Sequence, residues 1–218
     1  MASPAKNQQP FDLSGGHPAL DFVNSLDNRF RPDGPVELLA DYSDLLRFME
    51  QARLLSSQQT RLLAKATKQD AAARVLQSAR ELREAAAMTF YGSVDRRPPP
   101  LTDIRTLERH FLSASRHREL QWETSTESSE GRPGIAWTWG RFETEADLPV
   151  WMLSQAVSEL MMSHEMARVR TCGADTCRWL FLDTSKNHTR RWCNMKVCGN
   201  RMKARRFQER ATEPRVSR

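Results

Sequence analysis

The residues with the clearest chemical potential are four cysteines, all in the last quarter of the chain. Cys172, Cys177, Cys193 and Cys198 read Cys-x4-Cys-x15-Cys-x4-Cys. Two equal pairs on a short linker suit a tetrahedral metal site, and Zn²⁺ is the ion that four thiolates hold best. Such a shell is closed, so the site supports a fold and leaves no position for a substrate. Its formal charge of −2 calls for nearby cations, and residues 190 to 206 supply seven basic residues and no acidic one. The weaker alternatives are two disulfides, an oxidation-sensitive switch that ejects zinc, an iron–sulfur cluster, or His188 in place of one sulfur. Four cysteines already fill the shell, which leaves His188 as a surface residue.

Charge is divided unevenly along the chain. Residues 166–218 carry 14 Lys+Arg against 4 Asp+Glu, a net of +10, while residues 1–165 carry 19 against 23. A basic segment next to a metal site predicts an acidic partner, most simply duplex DNA. Lys203, Arg206 and Arg210 are spaced i, i+3, i+7 and share a helix face, with Arg201 and Arg205 on the adjacent one. Arg190, Arg191 and Lys196 complete the candidate nucleic-acid contacts. A structural alternative stands beside this for Arg190, Arg191, Asn200 and Arg201. The two arginines could neutralise the metal centre or bond Asp183, and Asn200 could hold the turn after Cys198. Trp179, Phe181 and Trp192 read as a small core around the metal. Met202 and Phe207 read as the anchors of the last helix.

The elements that must position these groups follow from periodicity and punctuation. Phe11–Leu13 reads as a short strand. A helix follows the Gly15-Gly16 turn, with Pro18 in its first turn. Residues 36–55 read as one amphipathic helix, then come a short helix over 60–65, a longer one over 69–91, and one capped by Thr102. Glu119 onward alternates in period two: Leu120 and Trp122, then Ile135, Trp137 and Trp139, around a hairpin loop over 125–134. Asp147 opens the longest helix, to about Met166. The tail restarts as two strand-like pieces flanking the first cysteine pair and ends in a helix past Cys198. Asp21 and Asn24, at i and i+3 on the first helix, are candidate ligand-binding residues, with bridging of structural elements as the alternative. His17 reads as a cap. The sequence has no Ser/His/Asp set, phosphate-cradling loop or His-rich motif, so no catalytic residue is assigned and an enzyme is the weaker class.

Cys198-Gly199-Asn200-Arg201 is the motif that names the CGNR zinc finger. The surrounding "FLDTSKNHTRRWCNMKVCGNRMKARRF" is similar to that finger at Asp183, Ser185, Asn187, Arg190, Arg191, Trp192, Cys193, Met195, Cys198 and Lys203. Asn194 departs from the Ser that often follows the third cysteine. "GGHPALDFVNSL" (15–26) resembles the opening of the ABATE domain that normally precedes this finger. The resemblance implies a bacterial stress-induced transcriptional regulator. The expected architecture is a mainly α N-terminal domain with a small β-sheet (α+β), followed by a small treble-clef-like zinc finger. The boundaries are a disordered 1–10, a sensor or interaction domain over 11–166, the finger over 167–211 and a flexible 212–218. The expected cofactor is one Zn²⁺ per chain. The expected partners are duplex DNA, a small-molecule effector at the N-terminal domain and a second copy of the chain. With no apolar run near the ~20 residues of a spanning helix, no membrane partner is expected and the cytoplasm is the expected compartment. The runner-up function is an adaptor whose finger docks on an acidic protein surface.

Overall fold

The computed structural model describes residues 9–124 and 133–212, with the side chains of Arg141, Arg206 and residues 209–212 outside that description. Helix α1 (Pro18–Asn24) is the centre of the N-terminal part, and Ala19 through Asn24 are all buried. His17 caps it, its ring Nδ1 accepting from the Ala19 amide at 3.1 Å, as the position before a first-turn proline predicts. Around α1 pack α4 (Gln69–Val94) and α6 (Leu148–Met162); α2 (Tyr42–Gln51) packs on both and meets α1 through the Phe22–Phe48 rings, while α5 (Leu101–Arg116) lies across α4 and α6. Phe22, Phe48, Phe90 and Leu153 are fully buried at their junction. The short α3 (Ser57–Ala66) carries a capping box between Ser56 and Gln59, satisfying two of its orphan donors.

The stretch expected as one helix over 36–55 is divided. Val36–Glu37 (β2) pairs antiparallel with Leu26–Asp27 (β1), and α2 starts only after Asp41, whose carboxylate accepts from the Asp44 amide at 3.0 Å. A side-chain cap in mid-pattern competes with helix continuation. Glu37 is meanwhile held by the buried Arg83 of α4 through two 2.6 Å bonds. Phe11–Leu13 forms no strand. Phe11 instead packs edge-on against Phe48 at 5.4 Å, and its amide donates to Gln51 at 2.7 Å. Nor does Thr102 cap α5, which begins one residue earlier behind Pro100.

Strands β3 (Glu119–Glu123) and β4 (Gly134–Thr138) form the expected antiparallel hairpin. Its loop over 125–132 lies outside the described residues. The apolar face, however, points outward. Leu120, Trp122, Ile135 and Trp137 are cross-strand neighbours with 53–69 % of their surface exposed. The small and polar residues of the other face, such as Ala136 and Thr138, are the less exposed set. Arg118 lies over the Trp137 ring at 4.9 Å, and Trp139 packs into the core. Alternation thus identifies the strands but not which face is buried.

A 3-10 turn at His164–Arg168 leads into β5 (Val169–Thr171), antiparallel to β6 (Leu180–Leu182), and the chain ends in α7 (Asn200–Thr212). Strand alternation splits β6 between two cores. Leu180 and Leu182, with Val169 of β5, join the N-terminal core, whereas Phe181 packs on the cysteine cluster. Among the described residues, no helix is long and apolar enough to cross a membrane.

Candidate metal centre

The four cysteines come from three pieces of chain. Cys172 directly follows β5, Cys177 lies in the turn before β6, Cys193 precedes a wide helical turn (Met195–Gly199) that leads into α7, and Cys198 lies within it. Their sulfurs all lie within 4.8 Å of one another, with Cys177–Cys193 at 3.6 Å and Cys193–Cys198 at 3.7 Å. Zinc at about 2.3 Å from each tetrahedral ligand would separate the sulfurs by ~3.8 Å. All four are free thiols. Four such groups at this spacing cannot all ionise against one another. Donation from Cys177 and Cys193 holds Cys172 down to about 2, and the bond to Cys172 pushes Cys177 up to about 12. A dication among the sulfurs removes that conflict. Backbone amides of Ala174 and Cys193 also face the Cys172 sulfur, the kind of surrounding donor that orients metal ligands. The cluster therefore fits one Zn²⁺, and the sulfur-only donor set matches a closed structural site.

The wide turn depends on Asn194. Its side chain accepts from the amides of Lys196 at 3.0 Å and Val197 at 3.4 Å, while its carbonyl accepts from Cys198 at 2.9 Å and Gly199 at 3.2 Å. Asn194 thus holds the turn that carries Cys198, while Asn200, the candidate for the turn after it, is exposed at the start of α7. An Asx residue just ahead of a helical turn was the available signal. Gly199 is closely packed: a Cβ there would displace the exposed Met195 side chain and lie 3.2 Å from the Trp192 ring.

Asp183 organises the linker between the cysteine pairs. It is fully buried, and its Oδ1 accepts from the Ser185 hydroxyl at 2.6 Å and amide at 3.0 Å, its Oδ2 from the Arg190 amide at 3.1 Å. Burial pushes its carboxyl up, but these bonds and the His188 charge outweigh burial and lower it overall. His188 is exposed and outside the sulfur cluster.

The candidate basic residues separate into two groups. The Arg190 guanidinium donates to the carbonyls of Trp192 at 2.9 Å, Leu182 at 3.3 Å, Ser14 at 3.1 Å and Cys193, and lies 4.6 Å over the Phe181 ring. It staples the finger to the N-terminal part, bonding carbonyls rather than the Asp183 carboxylate. Arg191, Lys196, Arg201, Lys203 and Arg205 are exposed. Arg205 pairs with Asp175 at 3.0 Å. Arg206 and Arg210 lie on α7, with their side chains outside the description. Met202 packs on the cysteine cluster as expected. Phe207 does not, with 75 % of its surface exposed, and the other described side chains of α7 past Met202 are exposed as well.

Asp21 and Asn24 lie at the junction of the two parts. The Asn24 amide donates to the Leu180 carbonyl at 2.8 Å and accepts from the Leu180 amide at 3.0 Å, pairing α1 with β6 like an extra strand. Asp21 accepts from the Gly15 amide at 2.8 Å, and a Cβ at Gly15 would lie 2.6 Å from that carboxylate. Trp179 adds a bond from its indole N–H to Asp27 at 2.9 Å. Burial raises the Asp21 carboxyl from 3.8 to about 7. The folded chain therefore keeps this proton to higher pH than the unfolded one, and stability declines as pH rises from about 4 to 7. Asp21→Asn should remove that slope. The variant is expected to gain on the order of 2 kcal/mol over the parent between pH 5 and pH 8, read as the difference in urea midpoints. Parallel pH profiles would show that Asp21 ionises normally.

Fold and site together define a zinc-finger protein whose finger is built onto a larger helical domain. A family model for the ABATE domain, described as "Putative stress-induced transcription regulator", matches residues 16–163, and one for the CGNR zinc finger matches residues 168–211. The first covers more than half of the chain, so this chain belongs to the ABATE family, with a C-terminal CGNR finger. No curated protein matches it.

Proposed function

We propose that this chain is a transcription regulator that binds duplex DNA through the finger, with an N-terminal domain that senses a small molecule. The observation that carries the DNA reading is α7. Past Met202 every described side chain on it is exposed, and between Asn200 and Thr212 it bears five basic residues and one acidic. A short helix that is polar all round gains little from its own bonds and needs a partner to bury or neutralise. Lys196 and Arg201 lie at its start, beside the metal centre, so the cations continue across the finger's open end. This distribution suits phosphate contacts along α7, with Arg201 nearest a base edge. Treble-clef geometry, with the second cysteine pair at a helix start, is the arrangement we assign to the finger. The boundaries we assign are 11–166 and 167–211.

If Lys203, Arg206 and Arg210 each contact a phosphate, replacing all three with alanine removes about three counterion-releasing contacts. The slope of log affinity against log salt should then become shallower by roughly 2.7. Fluorescence anisotropy across a salt series, with zinc content measured on the same samples, provides the test. An unchanged slope with zinc retained favours the adaptor, for which the exposed Phe207 supplies an apolar contact.

A further inference from the structure

A cleft lies between the N-terminal domain and the finger. It is about 670 Å³, within the range of small-molecule sites. One wall is formed by residues 9–12, the turn after α1, β2 and the start of α2; the other holds Trp179, Val197 and Arg201. Asp21 and Asn24 do not line it.

Two cations from different domains converge at its rim. Arg31 Nε donates to the Thr176 carbonyl at 3.0 Å, and Arg201 Nη1 reaches the Thr176 hydroxyl at 3.5 Å. Among the described residues, no carboxylate forms an ion pair with either. The carboxylates that line the cleft are committed elsewhere. Asp12 takes the Ser14 amide, Asp27 the Trp179 indole and Glu37 the buried Arg83, while Asp41 caps α2 and Asp44 pairs with Arg47 at 2.9 Å. With the thiolates of Cys177, Cys193 and Cys198 in the same lining, that charge disfavours an anion elsewhere in the cleft and leaves the Arg31–Arg201 end, where two cations without a described carboxylate partner meet. The remaining wall is apolar along Phe11, Val36, Leu38, Trp179 and Val197, and beside these it reaches Cys177, Cys193 and Cys198 of the metal centre.

We infer that this cleft is an effector site for a small organic anion with an apolar body. The anionic group lies between Arg31 and Arg201, and the body lies against Trp179 and Val197. Guanidinium groups bind carboxylate or sulfonate through charge-assisted bonds that a single domain here does not complete. The inference deepens the sensing half of the proposed function. Its regulatory consequence rests on the DNA reading: a ligand that engages Arg201 withdraws it from DNA, and by linkage DNA weakens the ligand equally.

The test uses anilinonaphthalene sulfonate, an aromatic anion whose fluorescence reports binding, titrated into the zinc-loaded full chain. Arg31→Gln and Arg201→Gln are each expected to weaken binding about tenfold, as loss of one charge-assisted bond does. Val36→Trp, at an exposed cleft position, should block the dye while leaving both arginines in place. Trp122→Ser on the exposed hairpin controls for dye on that apolar face and should leave the cleft affinity unchanged. Full affinity in both arginine variants, with zinc bound, overturns the site. A site that depends on the hairpin variant instead overturns it as well. Saturating dye should lower DNA affinity by the same factor that DNA lowers dye affinity. Dye bound in the cleft with DNA affinity unaltered overturns the coupling. Cleft binding in a chain with no affinity for DNA overturns the DNA reading and leaves the site standing.

Discussion

Replacing Cys193 with serine is expected to take the zinc content from one per chain to near zero, and to unfold the finger. Structural zinc contributes an apparent binding energy of about 10–16 kcal/mol in small fingers, so little else can hold this segment. The finger's own core is four cysteines, Ala174, Phe181 and a few half-buried neighbours, too small to be stable alone. The loss should spread. Leu180, Leu182 and Val169 belong to the N-terminal core, Asn24 is paired with Leu180, and Arg190 reaches Ser14. Hydrogen exchange should therefore show lost protection over residues 169–200 and weakened protection in α1, with α4 retaining most of its own. Elemental analysis and exchange on the same sample are the measurements. One zinc per chain retained in the variant would reject the four-sulfur site. A chelator should reproduce the variant's pattern in the parent protein.

Arg83→Ala is expected to cost about 3–5 kcal/mol, the range for breaking one side of a buried ion pair. Arg83 is nearly inaccessible. It binds Glu37 through two 2.6 Å bonds, Glu84 at 3.0 Å and the Ser25 hydroxyl at 3.2 Å. Burial alone would lower its pKa, but the Glu37 bonds and the charges of Glu37 and Glu84 more than offset burial and raise it. The arginine also ties β2 to α4, so its loss leaves the strand that walls the interdomain cleft held to α4 by Arg80, which reaches Glu37 at 3.4 Å and the Leu39 carbonyl at 2.7 Å. Urea denaturation measures the cost, and a double-mutant cycle with Glu37→Ala isolates the pair. A cost below 1 kcal/mol would mean that Glu37 rehydrates fully and that the pair contributes little.

Much of this architecture was legible before any coordinates. The cysteine spacing specifies a closed metal site because zinc has few ligand arrangements and thiolates few uses. Periodicity located α1, α4 and α6 because a buried helix face repeats every turn. It failed over 36–55, where the Asp41 cap is a local signal that periodicity does not weigh and the Glu37–Arg83 pair depends on another helix. It was equally silent on the hairpin, since alternation is symmetric between inward and outward faces. Charge counts singled out the tail but could not separate its arginines. Arg190 and Arg201 look alike in sequence, yet one is enclosed by four carbonyls and the other stands at an open rim.

The sequence by itself determined the metal, the order of the two parts and the positive charge of the tail, because these depend on residue type, spacing and total charge. Only the tertiary structure decided that the finger shares a core with the helical domain. That depends on β6 facing α1, a contact between residues more than 150 positions apart: Asn24 and Leu180. It alone brought Arg31 beside Arg201 and so created a cleft with two cations at its mouth. Local patterns report what each segment can bury. Which segment it meets is a property of packing over the whole chain, where many distant surfaces are compatible and only their joint fit selects one.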